Sequence, residues 1–222
     1  MNKYGKRFFR ERPLPSNSLP LEACVFDNEK AEYPAIPCWS IFDDTALKLG
    51  DPATIPAKGL LNGKVQYWYK WSKDYVEEIK SGYLLKAGTI EELAKMIAAD
   101  KENGGRMKPE VLRATVERYN KFCAAKQDDD FERAPSTLIA VLKPPYYAMK
   151  LYPGGAMTTG GPKKNLKAQV LDPFDNPIPH LYCAGEMGVA YGVVYPIPGI
   201  NVGELLIFGR VAGENVVNEK AV

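Results

Sequence analysis

Histidine is almost missing from this chain: His180 is the only one in 222 residues. The four cysteines, Cys24, Cys38, Cys123 and Cys183, lie far apart and form no C-x-x-C pair. A zinc centre needs clustered thiolate and imidazole ligands, and a disulfide framework needs denser cysteine, so neither is supported. The thiols read as reduced, as in a cytoplasmic protein, and no metal site is expected. Long apolar runs are also lacking: no stretch reaches the roughly 18 residues of a membrane-spanning helix. "MNKYGKRFFRERPLP" holds basic residues but no apolar core of an export signal. Charge of one sign does not dominate, with 29 Lys and Arg against 27 Asp and Glu. Lys and Arg are scattered among the acids, which argues against a nucleic-acid or anionic-membrane partner. Despite 19 glycines, no G-x-G-x-x-G occurs.

What is present is ordinary globular material, 45% hydrophobic and 25% charged, enough for one large domain or two small ones. Residues 1 to about 80 are rich in proline and aromatics, as in "AEYPAIPCWSIFDD" and "KVQYWYKWSKDY". Turn signals break their apolar runs, Cys38 to Phe42 among them, so long helices are not expected there. "TIEELAKMIAAD", residues 89–100, opens with Thr89 and Glu92 at capping-box spacing. Ile90, Leu93, Ala94 and Ile97 share one helical face. After "NGGRMKP", Pro109 suits a first helical position, and Leu112, Val116, Tyr119 and Cys123 recur at helical steps up to "QDDD". The second helix is expected to pack on the first. "AQVLD" and "HLYCAGE" read as short strands joined by the turn-rich "PFDNPIP", and a last helix is expected from about Asn201 to Val217.

"LYCAGEMGVAYGVVYPIPGINVGELLIFGR", residues 181–210, runs from strand through a glycine-rich turn to a helix start. Asn201 and Glu204 have the spacing of an N-cap and its third residue. The free N–H groups and partial positive charge of the helix start would then face an electron-rich group in the Gly185 to Gly199 turn. Gly203, Gly209 and Gly213 each cost about 1 kcal/mol against alanine inside a helix, which suggests close packing against a sheet or flat ligand. The same pattern also suits a plain strand-turn-helix in an α/β core, and pattern alone leaves both readings open.

Six segments carry a family resemblance: "NKYGKRFFRE", "KAGTIEELAKMI", "VERYNKFCAAKQDDDFER", "PPYYAMKLYPGGAMTTGGPKKN", "AQVLDPFDNPIPHLYCAGE" and "GINVGELLIFGRVAGEN". In order and spacing the chain resembles the C-terminal part of the fumarate reductase and succinate dehydrogenase flavoprotein superfamily. Its texture is nearest the 3-ketosteroid dehydrogenase-like members. The resemblance implies an α+β chain: residues 1–11 end a preceding FAD-domain segment, 12–145 form a capping domain of helices and short strands that covers the substrate, and 146–222 form the C-terminal half of an FAD-binding, Rossmann-like subdomain. The N-terminal βαβ unit that holds the ADP part of FAD is not in this sequence, which implies a C-terminal fragment. FAD is the implied cofactor. Gly185, Glu186, Gly199, Asn201, Val202 and Leu205 would face it, with Gly160 in the hinge where the cap returns.

The resemblance also bears on the reaction. Fumarate-reducing members carry an Arg where Pro15 stands, a His where Met157 precedes Thr158, and an Arg just before the final Gly-Gly-Asn turn. Here no Arg or His occurs between Glu186 and Gly209. A dicarboxylate needs cationic donors, so fumarate or succinate is an unsuitable substrate. Tyr191, Val193, Val194, Tyr195 and Ile197 line the turn sequence instead, with Tyr146, Tyr147 and Tyr152 upstream. This implies hydride transfer between flavin and a small hydrophobic cyclic or enone-type substrate, with Tyr195 first and Tyr191 second as the catalytic tyrosine. A rival reading makes the chain a truncated, non-catalytic binding or subunit-interaction domain. "GGAMTTGGPKK" is not a phosphate loop, because Gly161 and Pro162 displace the lysine. His180 reads as a surface residue, Asp128 to Asp130 as a solvated turn, and "YWYKW" (67–71) as cap core or a substrate lid.

Overall fold

The computed structural model describes residues 1–11, 22–47, 71–153, 160–188 and 199–220. The chain forms two compact units, one of residues 1–14 and 19–153, the other of 15–18 and 154–222. Small sheets and packed helices give a mixed helix and strand architecture.

The first unit is built on a three-stranded antiparallel sheet of order β1-β3-β2. Its strands are β1 (Cys38–Asp43), β2 (Leu84–Ala87) and β3 (Tyr146–Leu151). β3 pairs Ala148 with Ile41 of β1 and with Leu85 of β2. Both faces are covered, so strand alternation sorts side chains into two cores. Trp39, Ala87 and Ala148 join Leu93, Ala94, Ile97, Leu112 and Val116 on one face. Phe42, Leu84, Tyr147 and Met149 form the other. Among the described residues up to 80, the helices α1 (Asp44–Leu47) and α2 (Val76–Lys80) are short.

Two helices cover the first face, α3 (Ile90–Ala98) and α4 (Pro109–Ala125). The capping box forms: the Glu92 amide donates to Thr89 Oγ1 at 3.1 Å and the Thr89 amide donates to Glu92 Oε2 at 3.2 Å. Ile90, Leu93, Ala94 and Ile97 are all buried. In α4, Leu112, Val116 and Tyr119 are buried, together with Phe122, while Cys123 is half-buried. Buried polar groups tie the loops down. Asp43 accepts amides from Thr45 at 2.9 Å and from Leu142 and Lys143 at 2.8 Å each. Asn103 donates to Lys3 O at 2.9 Å and accepts the Met107 amide at 2.8 Å, holding the N-terminal segment on the loop between α3 and α4.

The acidic run after α4 departs from a solvated turn. Asp128 is buried and accepts Arg7 Nη1 and Nη2 at 2.9 and 2.7 Å, a two-pronged pair. Arg7 also holds Glu11 and lies 5.0 and 4.7 Å from the Tyr119 and Phe131 ring centres. A buried carboxylate is tolerable only with such a partner, and the partner lies 121 residues away, beyond any local spacing rule. Asp130 pairs with Arg118 at the surface. Of "YWYKW", residues 67–70 lie outside the described residues, and Trp71 packs beside Tyr75 and Tyr83 at the second core.

Candidate functional site

The second unit places the glycine-rich segment. β4 (Gln169–Leu171) and β5 (Pro177–Tyr182) form an antiparallel hairpin, as the strand-turn-strand texture predicts. β5 starts three residues before His180. A tight turn, Gly185–Gly188, follows, and α5 spans Ile200–Asn218. Gly185 has φ +76°, a left-handed conformation that glycine adopts without strain. At Gly161, φ +121°, an added Cβ would lie 1.6 Å from the Met187 carbonyl oxygen, so only glycine lets these two backbones approach. Gly160 also has positive φ, +118°.

The start of α5 differs from the capping arrangement that the sequence suggests. Gly199, at φ +86°, is the N-cap, with no side-chain cap bond, and Asn201 lies inside the first turn. Asn201 Nδ2 donates to Glu186 Oε1 at 3.2 Å instead. Glu204 is turned away from the cap: its carboxylate accepts the Gly185 amide and pairs with Lys164, whose side chain, like that of Glu204, is only 4% exposed. Lys164 also donates to Cys183 O at 3.4 Å and sits 3.7 Å from the Phe208 ring centre. Burial pushes the Cys183 thiol above its ordinary pKa, with Lys164 pulling down and Glu204 pushing up, so this cysteine is protonated at neutral pH.

The structure thus brings Gly185, Glu186, Asn201 and Leu205 together, with Leu205 Cδ1 3.4 Å from where a Gly185 Cβ would stand. Val202 and Leu205 expose apolar side chains beside the helix start. Tyr191 and Tyr195 lie outside the described residues, as do Pro15, Met157 and Thr158. Tyr147 is a core residue stacked on Phe42, and Tyr152 is exposed and bonded to Glu102. His180 is exposed and faces Glu219. Among the described residues no His, Cys, Asp and Glu cluster suits a metal ion, and no helix is long and apolar enough to cross a membrane. Sequence reasoning missed the Lys164 and Glu204 pair. Its one local signal is a single acid within the apolar stretch Val202–Phe208 near the start of α5.

These features fit the flavin end of FAD. Glycines with positive φ permit close backbone approach, and a long helix presents the positive end of its dipole at Ile200. Apolar side chains at the same edge suit the flat ring system.

Comparison with known proteins gives the family. A family model for the FAD binding domain matches residues 1–202. The 3-oxosteroid 1-dehydrogenase of Mycolicibacterium smegmatis is 28% identical, over 97% of this chain and 37% of its own length. The 3-ketosteroid delta1-dehydrogenase of Sterolibacterium denitrificans, solved with 1,4-androstadiene-3,17-dione, superposes with a TM-score of 0.71 at 25% identity, covering 99% of this chain and 38% of that one. The open conformation of a flavocytochrome c3 fumarate reductase superposes with a TM-score of 0.51 at 29% identity, covering 98% and 32%. The chain therefore spans well under half the length of the relatives it matches. It belongs to the FAD-dependent oxidoreductase family that includes the ketosteroid dehydrogenases and fumarate reductases.

Proposed function

We propose that this chain supplies the cap and the flavin-facing half of an FAD-dependent oxidoreductase acting on a hydrophobic cyclic or enone-type substrate. In this reading residues 1–11 end an FAD-domain segment, 12–145 are the cap and 146–222 the returning half of the FAD domain. The observation that supports it is that, among the described residues beside the Gly185 turn and the start of α5, the buried cation is already paired. Lys164 is held by Glu204, and residues 187–208 contain no Arg or His. Among the described residues of this edge fumarate would find no unpaired charged donor, whereas an apolar ring would find Val202 and Leu205.

FAD, when bound, supplies the hydride acceptor or donor. The residues of this chain have the supporting roles. The start of α5 stabilises negative charge at the flavin edge. Glu186 and Asn201 hold one another and orient the turn. Tyr195, with Tyr191 as the second choice, polarises a substrate carbonyl and holds or moves the proton at its phenolic oxygen.

The surface of the second unit supports a missing partner segment. Leu166, Phe174, Leu181, Leu206, Ile207 and Val217 are each at least 45% exposed. So much apolar surface on the hairpin, the turn before it and one helix suits an interface, and the upstream FAD-binding segment is the occupant that this reading assigns to it. The same surface would serve a non-catalytic interaction domain. An absorption spectrum decides between them. The expected outcome is no flavin in this chain alone and a full complement once the upstream coding sequence is restored. A stoichiometric yellow preparation of these 222 residues would refute the divided site, and a colourless longer protein would favour the interaction reading.

A further inference from the structure

Lys164 and Glu204 form the one ion pair of the described second unit in which both side chains are nearly fully buried. A buried pair of this kind is poor evidence for stability, since apolar residues of like volume often serve as well. Its contacts suggest another role. Lys164 precedes β4 and bridges to Val170. Glu204 sits in α5, and its second carboxylate oxygen accepts the Gly185 amide. Three segments therefore meet at one carboxylate: the start of the hairpin, the turn after β5 and the first turns of the helix. The Gly185 turn in the left-handed conformation has that amide directed at Glu204, and the next residue, Glu186, meets Asn201 from the same helix. Phe208, one turn on, lays its ring over the Lys164 ammonium, a cation–π contact.

We propose that the Lys164–Glu204 pair is a positioning device that locks the Gly185–Glu186 turn onto the start of α5, so that the flavin-facing edge is formed before any flavin binds. The inference rests on the FAD reading for its purpose, though not for its geometry. Lys164 orients the carboxylate, Glu204 fixes the amide, and preorganisation spares the flavin the cost of ordering the turn on binding.

The geometry is tested in this chain without flavin. An amide donating to a carboxylate resonates downfield, so Glu204→Gln moves the Gly185 amide proton upfield and Lys164→Met moves it less. A Gly185 resonance unmoved by Glu204→Gln overturns the proposal. The purpose is tested in the flavin-loaded longer protein with the apolar pair Lys164→Met and Glu204→Leu, which keeps the volume filled if single variants fold poorly. The expected result is a melting temperature near that of the parent, about tenfold weaker FAD affinity, the worth of one charge-assisted hydrogen bond, and a shifted visible flavin band. Parental affinity and spectrum in that double variant would make the pair structural only and overturn the proposal. A longer parent that binds no FAD would overturn the FAD reading instead, while the Gly185 resonance still decides the lock.

Discussion

At the scale of single residues, buried charge decides most. Arg7 and Asp128 have side chains 4% and 0% exposed. Removing one leaves the other buried without a partner, so Arg7→Met is expected to cost about 3 to 5 kcal/mol in a denaturant titration. The pair also sets an acid limit. Burial raises the Asp128 pKa, but the Arg7 hydrogen bonds and charge outweigh it and hold the carboxyl below its ordinary value. A depressed folded-state pKa gives stability that is present above the unfolded value of about 3.9 and is lost as pH falls through the folded one. Asp128→Asn should therefore flatten the loss of stability below about pH 4 in melting curves taken across that range. Neither pair of buried charges was legible in the sequence, because Arg7 and Asp128, like Lys164 and Glu204, meet only after distant segments fold together. Tyr195→Phe in the longer protein should lower turnover by about a hundredfold or more while leaving FAD content unchanged. Equal turnover would remove Tyr195 from the mechanism.

At the scale of elements, local rules read well where the neighbours agree with them. The capping box at Thr89 and the apolar face of α3 need only sequence spacing, and both form. Thr89→Ala is expected to cost about 1 kcal/mol, read from the midpoint of chemical unfolding. The start of α5 shows the limit. Asn201 and Glu204 have cap spacing, yet Gly199 takes the cap position, since Glu204 is drawn to Lys164 and the Gly185 amide. Gly203, Gly209 and Gly213 suggest close packing, but an added Cβ at each meets nothing within 4 Å. Gly209→Ala should then raise the stability of this chain by about 0.5 to 1 kcal/mol in a thermal melt. If the same change weakens FAD retention in the longer protein, the glycine serves an interface absent from this chain.

At the scale of the whole molecule, the two units have different characters. The first has both faces of its sheet covered and fully buried core residues such as Leu93, Ile97 and Leu112. Leu93→Ala there should cost about 3 kcal/mol, measured by denaturant unfolding. The second has an apolar helix and hairpin open to solvent, so the chain alone is expected to bind a hydrophobic dye and to self-associate, and coexpression with the upstream segment should suppress both. The sequence by itself determined helices α3 and α4, the hairpin, the final helix and the family, because these depend on local periodicity, turn residues and ordered motifs. Only the tertiary structure decided that Asp128 is buried on Arg7, that Tyr147 belongs to the core and that Lys164 and Glu204 join the turn to the helix. The reason is physical: a charged residue declares itself polar in sequence, but whether it meets water or a partner depends on segments that come together only in the folded chain.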